Sequence, residues 1–153
     1  MKRNVSILIS NKIRLTKLAF LLCLFAFQCI HIIAQPHKDY LDSALIAKKN
    51  NMFEKGISYC TLALVLNDTS EQAYFYRAGF HAALIMHQNA TVDYKHYQAS
   101  VKDYSMLLKL NPKNAKALLF RGGVEGEMRF LDRAILDYKA AIKIDNKLVE
   151  AYN

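Results

Sequence analysis

The sequence predicts an all-α fold that repeats a two-helix unit, and three observations support this prediction. The segments VKDYSMLLKLNP (101–112) and ILDYKAAIKIDN (135–146) lie 34 residues apart and share Asp-Tyr, a lysine five residues after the tyrosine, and a closing turn. Apolar residues in the second segment recur at the spacing of one helix face. No segment shows the alternation of Val, Ile and Thr that is typical of strands. Self-similarity at a fixed period indicates stacked repeats, because one two-helix unit cannot bury its apolar side alone.

A leader of 34 residues precedes the repeats. Five of the chain's 21 basic residues lie in its first 17 positions, and the uncharged run LAFLLCLFAFQCIHIIA follows at 18–34. This order is typical of a secretory signal peptide, so we expect cleavage before Gln35 and an exported protein, periplasmic or secreted. The alternative is an N-terminal membrane anchor. It is less favoured because a helix of that length spans only about 26 Å, short of the ~30 Å hydrocarbon core of a bilayer.

The formal net charge of +8 does not indicate nucleic-acid binding. The positive excess is concentrated in the leader, and the first acidic residue is Asp39. Beyond the leader there is no basic stripe with interleaved aromatic residues. We therefore expect protein or peptide partners and no nucleic acid, with a membrane as a partner only if the leader is not cleaved.

Sequence motifs for catalysis or cofactor binding are missing. The chain has no GxxxxGK[ST] loop, no GxGxxG and no GxSxG. Cys60 is the one cysteine after the leader, so neither a disulfide framework nor a thiolate metal site is expected. His81, His87 and His96 lack the spacing of a zinc-binding HExxH motif. The sequence thus predicts no enzyme activity, no cofactor and no metal.

Three copies of the unit follow the leader. The first spans 37–70, the second 71–114 and the third 115–148, while 149–153 match the opening of a fourth. A fourth unit that has only begun leads us to expect either a longer array or a partner docked on the last apolar face. Small residues, with tyrosines one turn further on, mark where antiparallel helices can approach closely. These repeat positions are Ala44, Gly56, Ala78, Ser100, Tyr104, Gly122, Ala134 and Tyr138.

The second copy is ten residues longer than the unit, and the extra residues fall around 85–94. Ile85 and Met86 continue the apolar pattern of its first helix, and Asn89 or Thr91 is a suitable cap for a longer second helix. We expect two lengthened helices here. A disordered loop is the alternative, and it is less favoured because the segment has neither Gly nor Pro.

This pattern resembles the tetratricopeptide repeat (TPR) family, whose 34-residue unit is a helix, a turn and a second helix. The resemblance covers residues 37–153. It implies a right-handed α-solenoid in which the first helices of the units line a protein-binding groove. The chain departs from the family near the end of each first helix, where Ala47, His81 and Glu125 stand in place of an aromatic residue.

The resemblance also implies which side chains face the groove. They are Lys38, Leu41, Leu45, Lys48 and Lys49 from the first copy, Gln72, Phe75, Gly79, Ala82 and Ala83 from the second, and Lys116, Leu119, Gly123, Gly126 and Glu127 from the third. Such a surface is apolar with a lysine rim, which favours an extended or helical peptide carrying acidic residues. The alternative is that part of this face packs on further repeats.

One subset of the family holds the terminal carboxylate of a chaperone peptide with a set of Lys and Asn side chains. At four of those positions this chain has Leu41, Leu45, Tyr76 and Phe120, and only Lys116 matches the set. Recognition of a terminal carboxylate in this way is therefore not expected.

An arginine and an aspartate occur together in two of the copies. Arg77 and Asp103 are present in the second copy and Arg121 and Asp137 in the third, whereas the first copy has neither. We hypothesise that each pair ties the two helices of its unit together.

The sequence thus predicts an exported interaction scaffold that binds a peptide or a partner protein in its groove. Two alternatives remain open: a membrane-anchored scaffold of the same fold, and the regulatory part of a longer enzyme.

Overall fold

The computed structural model describes residues 36–87 and 94–150. The leader, the centre of the insertion with Asn89 and Thr91, and the last three residues lie outside the described residues. The helices are α1 (36–49), α2 (Phe53–Leu66), α3 (Glu71–His87), α4 (Tyr94–Leu110), α5 (Ala115–Glu127), α6 (Leu131–Ile144) and α7 (Asn146–Glu150). No strand occurs among these residues, and the predicted all-α fold is confirmed.

Consecutive helices begin and end at residues that satisfy their free backbone groups. Asn114 caps the start of α5, where its Oδ1 accepts a hydrogen bond from the Ala117 amide at 3.0 Å. Ser70 does the same for α3, since its Oγ accepts from the Ala73 amide at 3.3 Å. At the other end, α4 stops at Leu110 because the following Asn111-Pro112 disfavours helical backbone before the proline.

The turn between the two helices of a unit is the same in the first and third copies. Asn51 and Arg129 both have positive φ, 54° and 64°. The amide after each one donates to a carbonyl five residues back, Met52 to Ala47 and Phe130 to Glu125, both at 2.9 Å. These are Schellman motifs, which close a helix by placing one residue in the left-handed region.

The helices pack in chain order, each against the next, and α3 also touches α5. Ala78, Tyr97, Tyr104, Leu107, Ala117 and Val124 form a buried cluster that joins α3, α4 and α5. A second cluster joins the first unit to the second through Leu41, Ala63, Leu64 and Ala73. Because both clusters cross from one unit to the next, the units share their apolar faces.

Two glycines allow helices to approach within a distance that a side chain would prevent. A Cβ atom on Gly122 would lie 2.9 Å from Tyr138 Cε1 and 3.2 Å from the Ala134 carbonyl oxygen. A Cβ on Gly56 would overlap the Phe80 ring, at 2.6 Å from its Cε1 atom. Real Cβ atoms do not come this close to a ring, so these two contacts require glycine.

Two arginine–aspartate pairs tie neighbouring helices, as hypothesised. Arg77 Nε and Nη2 donate to the Asp103 carboxylate at 2.7 and 2.8 Å, and Arg121 does the same to Asp137 at 2.6 and 2.7 Å. Both aspartates are buried and both arginines are about one-fifth exposed. This confirms the hypothesis that each pair joins the two helices of its unit.

Each arginine also reaches a third helix, which the sequence did not indicate. Arg77 Nη1 donates to Thr61 Oγ1 on α2 at 3.1 Å, and Arg121 Nη1 donates to Ser105 Oγ on α4 at 2.9 Å. Thr61 and Ser105 stand at the same place in their units, because Thr61 follows Cys60 and Ser105 follows Tyr104 at the corresponding position of the second helix. Each arginine therefore connects its own unit to the preceding one.

The second unit has the longest helices of the described part of the chain. Both α3 and α4 have 17 residues, and α3 continues through Ile85 and Met86 to His87, as predicted. Tyr97, near the start of α4, stacks on Phe130 with ring centroids 5.3 Å apart. The extension of α4 is thereby held against the turn that precedes α6.

The last helices leave apolar side chains uncovered. Exposed residues of α6 include Leu131, Ile135, Leu136, Ile142 and Ile144. The short helix α7 packs on α6 and ends the described part of the chain. Among the described helices, none combines the length and hydropathy that crossing a bilayer requires.

Candidate partner-binding groove

A cavity of about 240 Å³ lies on the face formed by the first helices of the three units. We call it the groove cavity. It is lined by Lys48, Phe53, Phe75, Tyr76, Gly79, Phe80, Ala82, Ala83, Met86, Tyr104 and Phe120. Helix α3 supplies seven of these residues, and α1, α2, α4 and α5 each supply one, so the cavity exists only when the three units are stacked.

The spacing of residues on α3 explains the shape of the cavity. Phe75, Gly79, Ala82 and Met86 follow one another by three or four positions and so lie on one side of the helix. The small residues Gly79 and Ala82, together with Ala83, leave space above the helix backbone. Phe75 and Met86 close the two ends of this stretch of α3.

Aromatic rings form the wall of the cavity. The Phe75 ring is edge-on to Tyr104 at a centroid distance of 5.9 Å, to Phe120 at 5.6 Å and to Tyr76 at 6.3 Å. Edge-to-face geometry of this kind is the favoured arrangement of aromatic pairs. Because Tyr104 is anchored in the core and Phe120 lies on α5, the wall is built from two units.

The cavity carries little charge. Lys48 is its one ionisable cation among the described lining residues, and Lys48 forms no ion pair with any described residue. Burial, with a smaller effect from the Asp103 carboxylate, raises the pKa of the Tyr104 hydroxyl, which is therefore protonated at neutral pH. The cavity thus offers apolar surface, two tyrosine side chains and one ammonium group.

Five of the predicted groove residues line the cavity. These are Lys48, Phe75, Gly79, Ala82 and Ala83. Six others are exposed but lie outside it: Lys38, Leu45, Lys49, Gln72, Lys116 and Glu127. Leu119 is half-buried against the Leu118 and Ala141 cluster between α5 and α6. The structure therefore does not bring all the predicted groove residues to one place.

The prediction that Leu41 faces a groove ligand is wrong. Leu41 is only 6% exposed, and it packs with Ala63, Leu64 and Ala73 in the contact between the first and second units. It was assigned to the groove because the resemblance fixes its position on α1 but not the rotation of that helix against α3. A ligand cannot reach it in the folded chain.

Several residues that line the cavity were not predicted from the sequence to face the groove. Tyr76 and Phe120 stand at the same place in the second and third units, where the sequence indicates only that a carboxylate-binding side chain is missing. Phe80 was missed because its burial depends on Gly56, which is distant in sequence. The shared position of Tyr76 and Phe120 was the signal that could have identified them.

His81 and His96 meet between α3 and α4. Their Nδ1 atoms are 2.8 Å apart, so one ring donates and the other accepts. Burial, and then the nearby His96, lower the pKa of His81 to about 4, which keeps it neutral at pH 7. The described residues contain no group of three side chains able to hold a metal ion.

The buried cysteine is chemically inert. Cys60 lies in the contact between α1, α2 and α3 with Ala44 and Phe80. Burial raises the pKa of its thiol to about 12, so almost no thiolate exists at neutral pH. Its role is that of a small apolar core residue.

The chain is similar to known proteins in its structure. No protein-family model matches the sequence, and no curated protein is significantly similar to it. The TPR domain of Arabidopsis OM64 matches with a TM-score of 0.66 and 20% identity, over 75% of this chain and 87% of that one. MamA matches with a TM-score of 0.65 and 22% identity, over 76% of this chain and 62% of that one.

A third similar structure contains a peptide. The first TPR domain of Spaghetti (RPAP3), solved bound to the HSP90 peptide SRMEEVD, matches with a TM-score of 0.64 and 17% identity, over 73% of this chain and 81% of that one. At these identities the likeness shows the fold and nothing finer. The chain folds as a right-handed α-solenoid of TPR-type helix-turn-helix units.

Proposed function

We propose that this protein is an interaction scaffold that binds a segment of a partner protein on the face formed by α1, α3 and α5. The observation that carries the proposal is the groove cavity, an aromatic-walled space assembled from all three units and left open by the fold. Exposed apolar cavities on a protein surface mark binding sites, because their apolar surface is otherwise kept from water. The TPR fold of the chain supports protein partners.

The size of the cavity favours a protein segment over a free small molecule. Sites for drug-sized ligands and cofactors measure roughly 300–1,000 Å³ and bury most of the ligand. The groove cavity measures about 240 Å³. It therefore accommodates one part of a longer chain that continues along the surface, as groove-binding peptides do.

Export is part of the proposal and rests on the leader. The basic segment and the apolar run at 18–34 are typical of a secretory signal, so the scaffold acts outside the cytoplasm. Mass spectrometry of the N-terminus of the protein isolated from its host tests this. A start at Gln35 supports export, and an intact leader supports the membrane-anchored alternative.

Filling the cavity is expected to abolish partner binding without weakening the fold. A Cβ on Gly79 would lie 3.8 Å from the Tyr104 hydroxyl, an ordinary contact, so Gly79→Leu places a side chain in the cavity. Leucine also favours the helix over glycine by up to about 1 kcal/mol. We expect at least a roughly hundredfold loss of affinity, about 2.7 kcal/mol, for peptides selected from a phage-displayed library of random 16-residue sequences, with an unchanged or raised melting temperature.

Gly123→Leu is the matched control. Gly123 stands at the corresponding place in the third unit, where a Cβ would lie 3.8 Å from the Tyr138 hydroxyl, but it does not line the cavity. Because it leaves the cavity open, its variant is expected to lose much less affinity than Gly79→Leu. If no peptide is selected on the parent protein, or if Gly79→Leu binds selected peptides unchanged, the proposal is wrong.

A further inference from the structure

We infer that the groove cavity receives one bulky apolar side chain from within the partner's chain, with an acidic residue beside it that pairs with Lys48. This inference rests on the proposed function and specifies the ligand of the same site. It also states that the partner's terminal carboxylate is not what the cavity recognises. Three features of the described residues carry it: the side chains at the bottom of the cavity, its size, and the unpaired lysine at its edge.

Aromatic rings occupy the place where a carboxylate would need cations. Tyr76 and Phe120 line the cavity, and both contribute aromatic rings without a positive charge. The Tyr76 hydroxyl already accepts a hydrogen bond from Gln72 Nε2 at 2.9 Å. Lys116, the one residue that matches the carboxylate-binding set, does not line the cavity. A carboxylate placed among these rings would lose its hydration without gaining a partner, which is unfavourable.

The size and shape of the cavity suit a single large apolar side chain. Phe75 meets Tyr76, Tyr104 and Phe120 edge-on, so its ring lies at the centre of an aromatic wall. A guest phenyl or indole ring gains from edge-to-face contact with such a wall in addition to the burial of its surface. Met86 borders the cavity at the lengthened end of α3, and its flexible thioether adapts to guests of different shape.

The positive charge of Lys48 at the edge of the cavity determines which partner residue is favoured next to the apolar side chain. Lys48 is exposed, and no described residue pairs with it. An aspartate or glutamate of the partner close to the apolar anchor can therefore form an ion pair there at no cost to an existing one. The same lysine disfavours a partner with arginine or lysine at that place. The preferred ligand is an internal acidic–aromatic or acidic–aliphatic segment.

Selection on the intact protein tests the inference directly. Random 16-residue peptides displayed on phage are selected on the parent protein, and the enriched peptides are synthesised with a free and with an amidated carboxyl terminus. We expect enrichment of Phe, Trp, Leu or Met at one position with Asp or Glu nearby. Replacing that apolar residue by alanine is expected to lower affinity about thirtyfold or more, whereas amidation is expected to change it less than about twofold.

A variant of Lys48 tests the contribution of its charge to binding separately from that of the apolar cavity. Lys48→Glu is expected to weaken acidic peptides about tenfold and to enrich basic neighbours in a repeated selection, while Lys49→Glu, the adjacent exposed lysine outside the cavity, has a smaller effect. Peptides that bind only with a free carboxyl terminus, or that show no preference for an apolar residue, overturn the inference and leave the proposed function standing. Failure to select any peptide overturns the proposed function itself.

Discussion

Replacing Arg77 by methionine is expected to lower the free energy of unfolding by about 3–5 kcal/mol, the cost of leaving one partner of a buried ion pair alone. The Asp103 carboxylate is only 3% exposed and receives both of its ionic hydrogen bonds from Arg77. Methionine keeps much of the length of the side chain but donates no hydrogen bond. The contact to Thr61 in the preceding unit is lost as well. Urea unfolding followed by helical circular dichroism measures the effect.

A double variant tests whether this loss of stability comes from the unpaired Asp103 carboxylate. Replacing both members, Arg77→Met with Asp103→Leu, removes the buried charge together with its partner, and such a replacement is often close to neutral. We expect the double variant to be more stable than Arg77→Met alone. Lys102→Met, at an exposed position beside Asp103, is the control for adding a methionine to this region and is expected to change stability little. Losses that simply add in the double variant would show that the two residues are not coupled.

Gly56→Ala is expected to destabilise the fold by about 1–3 kcal/mol, the usual range for overpacking a well-packed core. The added methyl group would overlap the Phe80 ring, which is 3% exposed, so the ring or one of the two helices would have to shift. In an open helix the same substitution would stabilise, because alanine is the better helix former. A fall in the midpoint of urea unfolding would therefore show that α2 and α3 are in close contact at Gly56.

Gly123→Ala is the control for the glycine effect. A Cβ at Gly123 would make only an ordinary contact, at 3.8 Å from the Tyr138 hydroxyl. We expect this variant to be more stable by about 0.5–1 kcal/mol, the usual cost of glycine inside a helix. If Gly56→Ala and Gly123→Ala both stabilise, the first and second units are not packed as the structure shows.

The fold could be predicted from the sequence because the repeat encodes it several times. The second and third copies share Asp-Tyr and an arginine one helix earlier, and the first copy lacks both residues of the pair. Because the arginine and the aspartate occur together in two copies and are both missing from the first, the sequence indicated that Arg77 and Asp103 interact. The distances confirm this. Helix bounds followed from local signals such as Asn111-Pro112, which act within a few residues.

The candidate site could be predicted only in part, because it depends on how the helices are rotated against one another. A repeat pattern places Leu41 and Phe75 at similar positions on first helices, yet Leu41 is buried and Phe75 lines the cavity. Leu41 packs on α2 and α3 in the contact with the second unit, whereas the larger Phe75 ring lies against Tyr104 and Phe120. Phe53 was missed for a related reason, since it begins a second helix and the groove was assigned to first helices alone.

The contacts that the two arginines make with the preceding unit could not be predicted from the sequence either. Thr61 and Ser105 share a repeat position, but Thr and Ser are common on exposed helix faces and gave no distinct signal. In the structure they receive the third hydrogen bond of Arg77 and Arg121. These arginines hold adjacent units in register, and the groove cavity is built across the same units. Stability and the shape of the candidate site are therefore linked.

Hydrogen exchange of the protein with and without an excess of a selected peptide tests the central claim most directly. A ligand bound on the first helices is expected to slow exchange in α3 and α5 and at the end of α1, with little change in α6. The same protection is expected to disappear in Gly79→Leu. Protection confined to α4 and α6, or protection that persists in Gly79→Leu, would contradict the account.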